Sequence, residues 1–538
     1  MEGKLVRRVG AVAVCLATAW GGVQPIAALA APPGGAAARA DVNGDGIADI
    51  VMSTGARVTY SGDTDVLPND LGGSVFVIPG GAGKLPSAPA TFVNQGDPMV
   101  NTTMEADDRF GVTLATGDFN GDGLADVAIG NPKESIGSMQ SAGIVSILYG
   151  QRTAPYLRLI PGAVDRLTQD TPGIPGTTEA DDLFGTSLAT GDFNTDGYAD
   201  LAIGSPGESV GTKKRAGGVL VVYGTAAGVT ASGSQFITQD SGNLAGNAEV
   251  DDLFGWSVAA GDVTGDSRDD LAIVSAGEMV AGVTNGTGSV HLVPGSATGV
   301  NVNTSTIAHV GNAATGGRWH SVVIGRFHGG AFADVVVAAD QRRGAPGGSG
   351  VLVSIRGSAA GLVPTNTQLI DQNSPAIPGG NEDNDYFGGA LAVGDIDGDT
   401  YSDLAVGDLR EDSGSGGVVL LRGGTAGLLS APGTWVSEST AAIAADPQPA
   451  EGFGYGLRIL DVTGDGKPEV LVSAPWEDFS ARSGTLFILD VGVSGDGFDV
   501  TGSRRVGRDD LGTISNYGPG VPIAGGAIIL DNNEESPK

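Results

Sequence analysis

Residues 184–206 read Phe-Gly-Thr-Ser-Leu-Ala-Thr-Gly-Asp-Phe-Asn-Thr-Asp-Gly-Tyr-Ala-Asp-Leu-Ala-Ile-Gly-Ser-Pro. Two short apolar runs flank a nine-residue acidic loop, Asp192 to Asp200, and a Gly/Pro turn closes the stretch. Apolar runs of this length bounded by Gly, Asn and Pro read as strands, and no helical period competes with them. The same pattern recurs as Asp41-Val-Asn43-Gly-Asp45-Gly-Ile47-Ala-Asp49 and Asp118-Phe-Asn120-Gly-Asp122-Gly-Leu124-Ala-Asp126. Later copies start at Asp262, Asp395 and Asp461, with a degenerate one at Arg326. Successive starts lie 77, 74, 70, 64, 69 and 66 residues apart, so seven units use up the chain after its first segment.

Each unit carries matching pieces. A Phe-Gly pair stands before five of the loops: Phe110-Gly111, Phe184-Gly185, Phe254-Gly255, Phe387-Gly388 and Phe453-Gly454. Behind the loop a second strand ends in a turn such as Gly204-Ser205-Pro206 or Ser473-Ala474-Pro475. Third strands follow between glycines at 218–224, 288–295 and 417–423, and shorter fourth strands are expected at 235–239 and 368–372. Four strands in each of seven units predict an all-β, seven-bladed β-propeller over residues 31–538, since radial closure removes exposed sheet edges. A linear solenoid is the alternative, and it needs distinct polar caps. The first loop has almost no strand before it, while Asp509-Asp510-Leu511-Gly512-Thr513 echoes Asp181-Asp182-Leu183-Phe184-Gly185-Thr186. The C-terminal segment is therefore expected to supply the missing strand and close the ring.

The Phe-Gly pair, the acidic loop and the Gly/Ala-Pro turn resemble the FG-GAP repeats of the integrin α-subunit propeller and its bacterial relatives. That resemblance covers essentially residues 31–538. It implies calcium in the acidic loops and partner recognition by the loops at the other end of the blades, as in integrin adhesion. Those would be the second-to-third strand connections at 54–72, 131–142 and 204–217, with the approach loops at 95–109 and 172–183.

The acidic loop suits a hard cation on its own terms. Calcium takes six to eight oxygen ligands without strict geometry, and side chains at loop positions 1, 3 and 5 converge when the loop coils. A backbone carbonyl at position 7 and a carboxylate at position 9 complete the set, and glycine at position 6 allows the sharp turn. The expected ligands are Asp41, Asn43, Asp45, Ile47 and Asp49, then Asp118, Asn120, Asp122, Leu124 and Asp126. The third loop offers Asp192, Asn194, Asp196, Tyr198 and Asp200, and the fourth Asp262, Thr264, Asp266, Arg268 and Asp270. The sixth offers Asp395, Asp397, Asp399, Tyr401 and Asp403, and the seventh Asp461, Thr463, Asp465, Lys467 and Glu469. Position 7 enters each set through its carbonyl alone. About six Ca2+ sites follow, structural in role, with magnesium the runner-up because it retains its waters. In the fifth loop Arg326, His328 and Gly330 replace ligands and only Asp334 survives, so no metal is expected there.

Composition bounds the function. With 29 Lys plus Arg against 62 Asp plus Glu the net charge is −33, which repels nucleic-acid backbones. Lys4, Arg7 and Arg8, the apolar run from Val9 to Trp20 and the small-x-small site Ala28-Leu29-Ala30 read as a signal peptide over residues 1–30. Arg7-Arg8 leaves a twin-arginine export route open. Cys15, the only cysteine, lies in that segment, and no later run is long enough to span a bilayer. A secreted monomer without membrane insertion is expected.

Catalysis finds little support. Gly207-Glu208-Ser209-Val210-Gly211 matches a nucleophile elbow, but the preceding unit has Lys133-Glu134-Ser135-Ile136-Gly137 at the same place, so the repeat's turn explains it. Four histidines are present: His291 in a third strand, His320 and His328 around the fifth loop, and His309. The reading is a calcium-binding adhesion module for a protein or carbohydrate ligand; the alternative is a secreted hydrolase using the channel or a face of the ring.

Overall fold

A computed structural model describes residues 40–54, 73–83, 85–100, 102, 108–278, 288–309, 319–339, 349–443, 451–475, 484–507 and 510. It is a seven-bladed β-propeller. The third blade shows the plan: Ser187–Gly191, Asp200–Ser205, Gly218–Tyr223 and Thr230–Ile237 form an antiparallel sheet in chain order. The fourth (Phe254–Gly261, Asp270–Ser275, Ser289–Val293, Thr306–Ala308) and fifth (Trp319–Gly325, Asp334–Ala339, Val351–Arg356, Val363–Ile370) repeat it. So do the sixth (Phe387–Gly394, Asp403–Asp408, Gly417–Leu421, Thr434–Val436) and seventh (Gly456–Leu460, Glu469–Ala474, Thr485–Ser494, Gly497–Val506). In the second blade, Thr113–Gly117, Asp126–Asn131 and Ile144–Gly150 carry an outer strand in two pieces, Leu157–Arg158 and Arg166–Leu167. The first blade shows three strands among the described residues, Ile50–Thr54, Ser74–Ile78 and Thr91–Asn94.

Second and third strands are buried along their whole length between neighbouring blades. Covered on both faces, they read as continuous Val/Ile/Leu runs without alternation. The fourth strands begin earlier than the sequence suggests and stop two residues short of Gln239 and Gln372. Val302–Thr304 forms a 3-10 turn and Glu411–Gly414 a single α-turn, small departures from the all-strand expectation.

The Phe-Gly pair sews one blade to the next. The Phe184, Phe254 and Phe453 N–H groups donate to Ala142, Ala216 and Ser415 of the preceding blade at 2.9–3.0 Å, and all three rings are fully buried. Close approach requires glycine on the other side: a Cβ at Gly217 would stand 2.2 Å from the Phe254 carbonyl oxygen.

A second contact runs around the ring. The carbonyl at loop position 2 accepts an N–H from the hairpin after the next blade's third strand: Phe119 from Thr225, Phe193 from Ser296 and Phe327 from Gly424, each at 3.1 Å. Val462 of the seventh blade accepts from Gly81 of the first at 2.9 Å, so blades seven and one meet as the others do. The segment expected to supply the first blade's opening strand lies outside the described residues, apart from Asp510.

Candidate metal-binding loops

Each acidic loop joins a first strand to a second at one end of the blade. In the third, Asp192 accepts the N–H groups of Asp196 (3.2 Å) and Gly197 (3.1 Å). Asn194 Oδ1 accepts from Asp196 at 2.8 Å, and Asp196 Oδ1 from Tyr198 at 3.0 Å. These bonds coil the loop so that positions 1, 3 and 5 face inward. The first, second and sixth loops repeat the set, with Asp41, Asp118 and Asp395 in the first role. In the fourth and seventh, Asp262 and Asp461 bind backbone in the same way while Thr264 and Thr463 bond instead to Asp270 and Glu469.

Position 9 does more than close a cage. Asp200 accepts the Phe193 N–H and the Gly224 N–H, both at 3.0 Å, and so ties the loop to the end of the third strand. Asp126, Asp270 and Asp403 make the same two bonds, as does Asp49. Asp334 of the degenerate loop is just as buried and accepts from Gly357 at 3.3 Å. Its survival where every other ligand is lost follows from this tie. Two side chains face it: His328 through Nδ1 at 2.5 Å and the Arg356 guanidinium through Nη1 at 3.5 Å.

Electrostatics separate the inner acids from ordinary surface. Burial pushes Asp200 and Asp403 up to about 8, Asp49 and Glu469 to about 7 and Asp270 to about 6, and the other acids of each loop push the same way. A bound cation would reverse that balance. Two loops bring three carboxylates within 4.8 Å: Asp395, Asp397 and Asp403, and Asp461, Asp465 and Glu469. Among the described residues no other triple of acidic, histidine or cysteine groups does so; the remaining loops have Asn43, Asn120, Asn194 or Thr264 at position 3. Oxygen-only donors in this arrangement fit a hard divalent ion.

Arginines lean on several loops, a feature the sequence reading missed. Arg422 contacts Asp397 and Asp399, Arg158 contacts Asp122 at 3.2 Å, and Arg504 contacts Glu469 at 3.8 Å. Arg268, expected only to lend a carbonyl, also pairs with Asp266 at 2.9 Å. The position-7 side chains have a packing role as well. Leu124, Tyr198 and Ile47 fill the space where a Cβ on Gly44, Gly121 or Gly464 of the preceding loop would fall. Position-1 carbonyls accept from position 8 of the next loop, Asp41 from Ala125 and Asp118 from Ala199, so the loops form a linked belt. Asp269, an acid at position 8 where other loops carry Ala, Ser or Pro, reaches back to the Asp192 N–H at 2.9 Å.

The remaining chemistry candidates are structural. His291 is wholly buried in its third strand, bonded to Ser289 Oγ at 3.1 Å, edge-on to Phe254, and pushed down to about 3 by burial, hence neutral. Gly207–Gly211 lies in a turn with Val210 bridged to Lys213, and no helix follows it.

Comparison with known families matches the FG-GAP repeat at residues 110–148, 184–222, 254–293 and 453–489. The chain thus carries FG-GAP repeats in four places, and the first, fifth and sixth blades fall outside the matches. Similar proteins include the phosphatidylinositol-glycan-specific phospholipase D of Rattus norvegicus, 35% identical over 167 residues, 31% of this chain and 18% of that protein. Its Dictyostelium discoideum counterpart is 32% identical over 223 residues, 40% of this chain and 22% of the relative. Integrin alpha-PS2 of Drosophila melanogaster is 32% identical over 178 residues, 32% of this chain and 12% of the integrin. The alignments therefore span about a fifth or less of these relatives. No helix among the described residues is long and apolar enough to cross a membrane.

Proposed function

We propose that this chain is a secreted binding module of the adhesion type. Residues 1–30 direct export, and residues 31–538 form a propeller whose six intact loops hold calcium as a structural ion. The observation that carries the reading is the belt of coiled acidic loops at one end of a ring similar, over 178 residues, to an integrin alpha chain. Calcium ties down that end, which leaves the connections at 131–142 and 204–217 to meet a protein or carbohydrate partner. The test is capture of cell-surface proteins and glycans on the purified chain in calcium, followed by elution with a chelator. A partner retained in calcium and released by chelation supports the module; no such partner across both classes refutes it. Similarity to phospholipases D favours a second reading, a hydrolase acting on or beside the ring, for which a phosphodiester and glycoside substrate panel is the assay.

A further inference from the structure

The far end of the blades holds a second repeated set of acids. First strands begin and second strands end there, as Ser187 pairs with Gly204 while the acidic loop leaves from Gly191 and Asp200. Between blades two and three, Gln169 donates through Nε2 to Glu208, with Asp182 alongside. Between blades three and four, Gln239 donates to Glu278 at 2.6 Å, with Asp252 alongside. Between five and six, Gln372 donates to Asp408 at 2.6 Å and Glu411 at 3.1 Å. Between one and two, Gln95 bridges Asp108 at 2.9 Å and Glu134 at 2.8 Å. The glutamine lies one or two residues past the outer strand of one blade and the acids belong to the next, so each cluster straddles an interface.

These groups are more than nine-tenths buried, Glu411 apart. No salt bridge reaches Glu208, Asp182, Glu278 or Asp252 among the described residues. Buried carboxylates facing one another need a counter-charge or a shared proton. Several buried oxygens of these cluster residues have no partner: Gln169 Oε1 and Asp182 Oδ1 at one interface, Gln239 Oε1 at the next, Gln372 Oε1 and Asp408 Oδ1 at the third. Buried polar atoms are normally satisfied, so a repeated shortfall of acceptors' partners marks a missing donor or cation. Half a turn of each amide brings Oε1 to the place where Nε2 now meets the carboxylate, as a cation between them would favour.

The sequence adds an independent sign. In the sequence of the next unit, the positions corresponding to Gln239, Asp252 and Glu278 hold Val310, Gly317 and Arg342, which lie outside the described residues. That blade has also lost the ligands of its acidic loop, so both acid sets vanish together.

We propose that the interblade clusters Gln169–Asp182–Glu208 and Gln239–Asp252–Glu278, with their counterparts at Gln95 and Gln372, are a second ring of oxygen-ligated divalent-cation sites. Two carboxylates and an amide oxygen form a hard donor set that suits calcium, with water completing the shell. Burial raises Asp182 and Glu208, and Asp252 and Glu278, above the ordinary carboxylate range, and a cation would offset that cost. A cation there would clamp neighbouring blades at the end opposite the acidic loops.

The experiment counts calcium bound to the full chain by equilibrium dialysis and elemental analysis. Wild type should hold more ions than its six intact loops account for. The variant carrying D182N, E208Q, D252N and E278Q should hold two fewer, whereas D118N with D122N should lose one ion at a loop. An unchanged count in the interblade variant overturns the proposal and leaves a shared proton as the account of the clusters. Loss at the interblade sites with no loss from the loop variant would refute the loop reading alone. Anomalous diffraction from unmodified protein crystallised with terbium guards against a variant that fails to fold: peaks beside Glu208 and Glu278 support the proposal, and peaks confined to the acidic loops overturn it.

Discussion

Stripping calcium should make thermal stability fall as pH rises from 6 to 8. The acids that close the loops carry the effect. Asp200 and Asp403 sit at about 8, and Asp49 and Glu469 at about 7, all raised chiefly by burial. In the unfolded chain the same groups ionise near pH 4. Above that pH the folded state holds protons that the unfolded state has released, so stability is fully present below pH 4 and is lost as pH climbs through 7 and 8. Each raised group contributes about 1.4 kcal/mol per pH unit while only the folded form is protonated. Asp200 and Asp403 together therefore cost on the order of 5 kcal/mol between pH 6 and 8. With a melting entropy of about 2 cal/mol/K per residue, a chain of this size loses about 5 °C in Tm. Scanning calorimetry on metal-stripped protein across that range reads the slope directly. Saturating calcium should remove it, because the ion holds the carboxylates ionised in the fold. A stripped protein whose Tm is flat or rises with pH would refute the argument.

Asp334→Ala leaves His328 and Arg356 without their buried partner and frees the Gly357 N–H; stability should drop by about 3 kcal/mol in denaturant titration, with the number of bound calcium ions unchanged. Phe184→Ala empties a fully buried interblade position and should cost about 3–5 kcal/mol by the same measurement, again without altering the calcium count. Deleting residues 508–538, which leaves the seventh blade's outer strand Gly497–Val506 whole, should lower Tm if that segment supplies the first blade's opening strand, and an unchanged melt would show that the ring closes without it.

How legible all this was depends on where the physics is local. Phe-Gly, the loop spacing and the Gly-bounded strands state the fold because each is a short-range requirement: a buried ring, a coiled turn, a strand covered on both faces. Interblade chemistry is non-local. Nothing near Gln169 in the sequence announces Glu208, yet both recur at a fixed offset of 39 residues, as Gln239 and Glu278 do. That offset was the available signal, overshadowed by the denser acidic loops. Fourth-strand boundaries were misplaced for a related reason, since Gln239 and Gln372 look like strand residues but turn inward to meet acids of the next blade.

The degenerate fifth blade separates two roles that coincide elsewhere. Position 9 could be retained for a metal or for the backbone, and six intact loops cannot tell these apart. In the fifth, three ligand positions are gone and Asp334 still accepts the Gly357 N–H, with His328 in hydrogen-bond contact and Arg356 supplying positive charge. The tie from loop to third strand therefore suffices to hold an acid at this position, and a cation would be one of two ways to offset its charge. Arg422 illustrates the intermediate case: it occupies the same strand-end place as Arg356 but faces a loop with four acids, where it contacts Asp397 and Asp399. An arginine there relieves the repulsion among the carboxylates that a divalent ion would otherwise relieve, and it also competes for the same oxygens. The sixth loop should accordingly bind calcium more weakly than its four carboxylates suggest, and Arg422→Gln should tighten it.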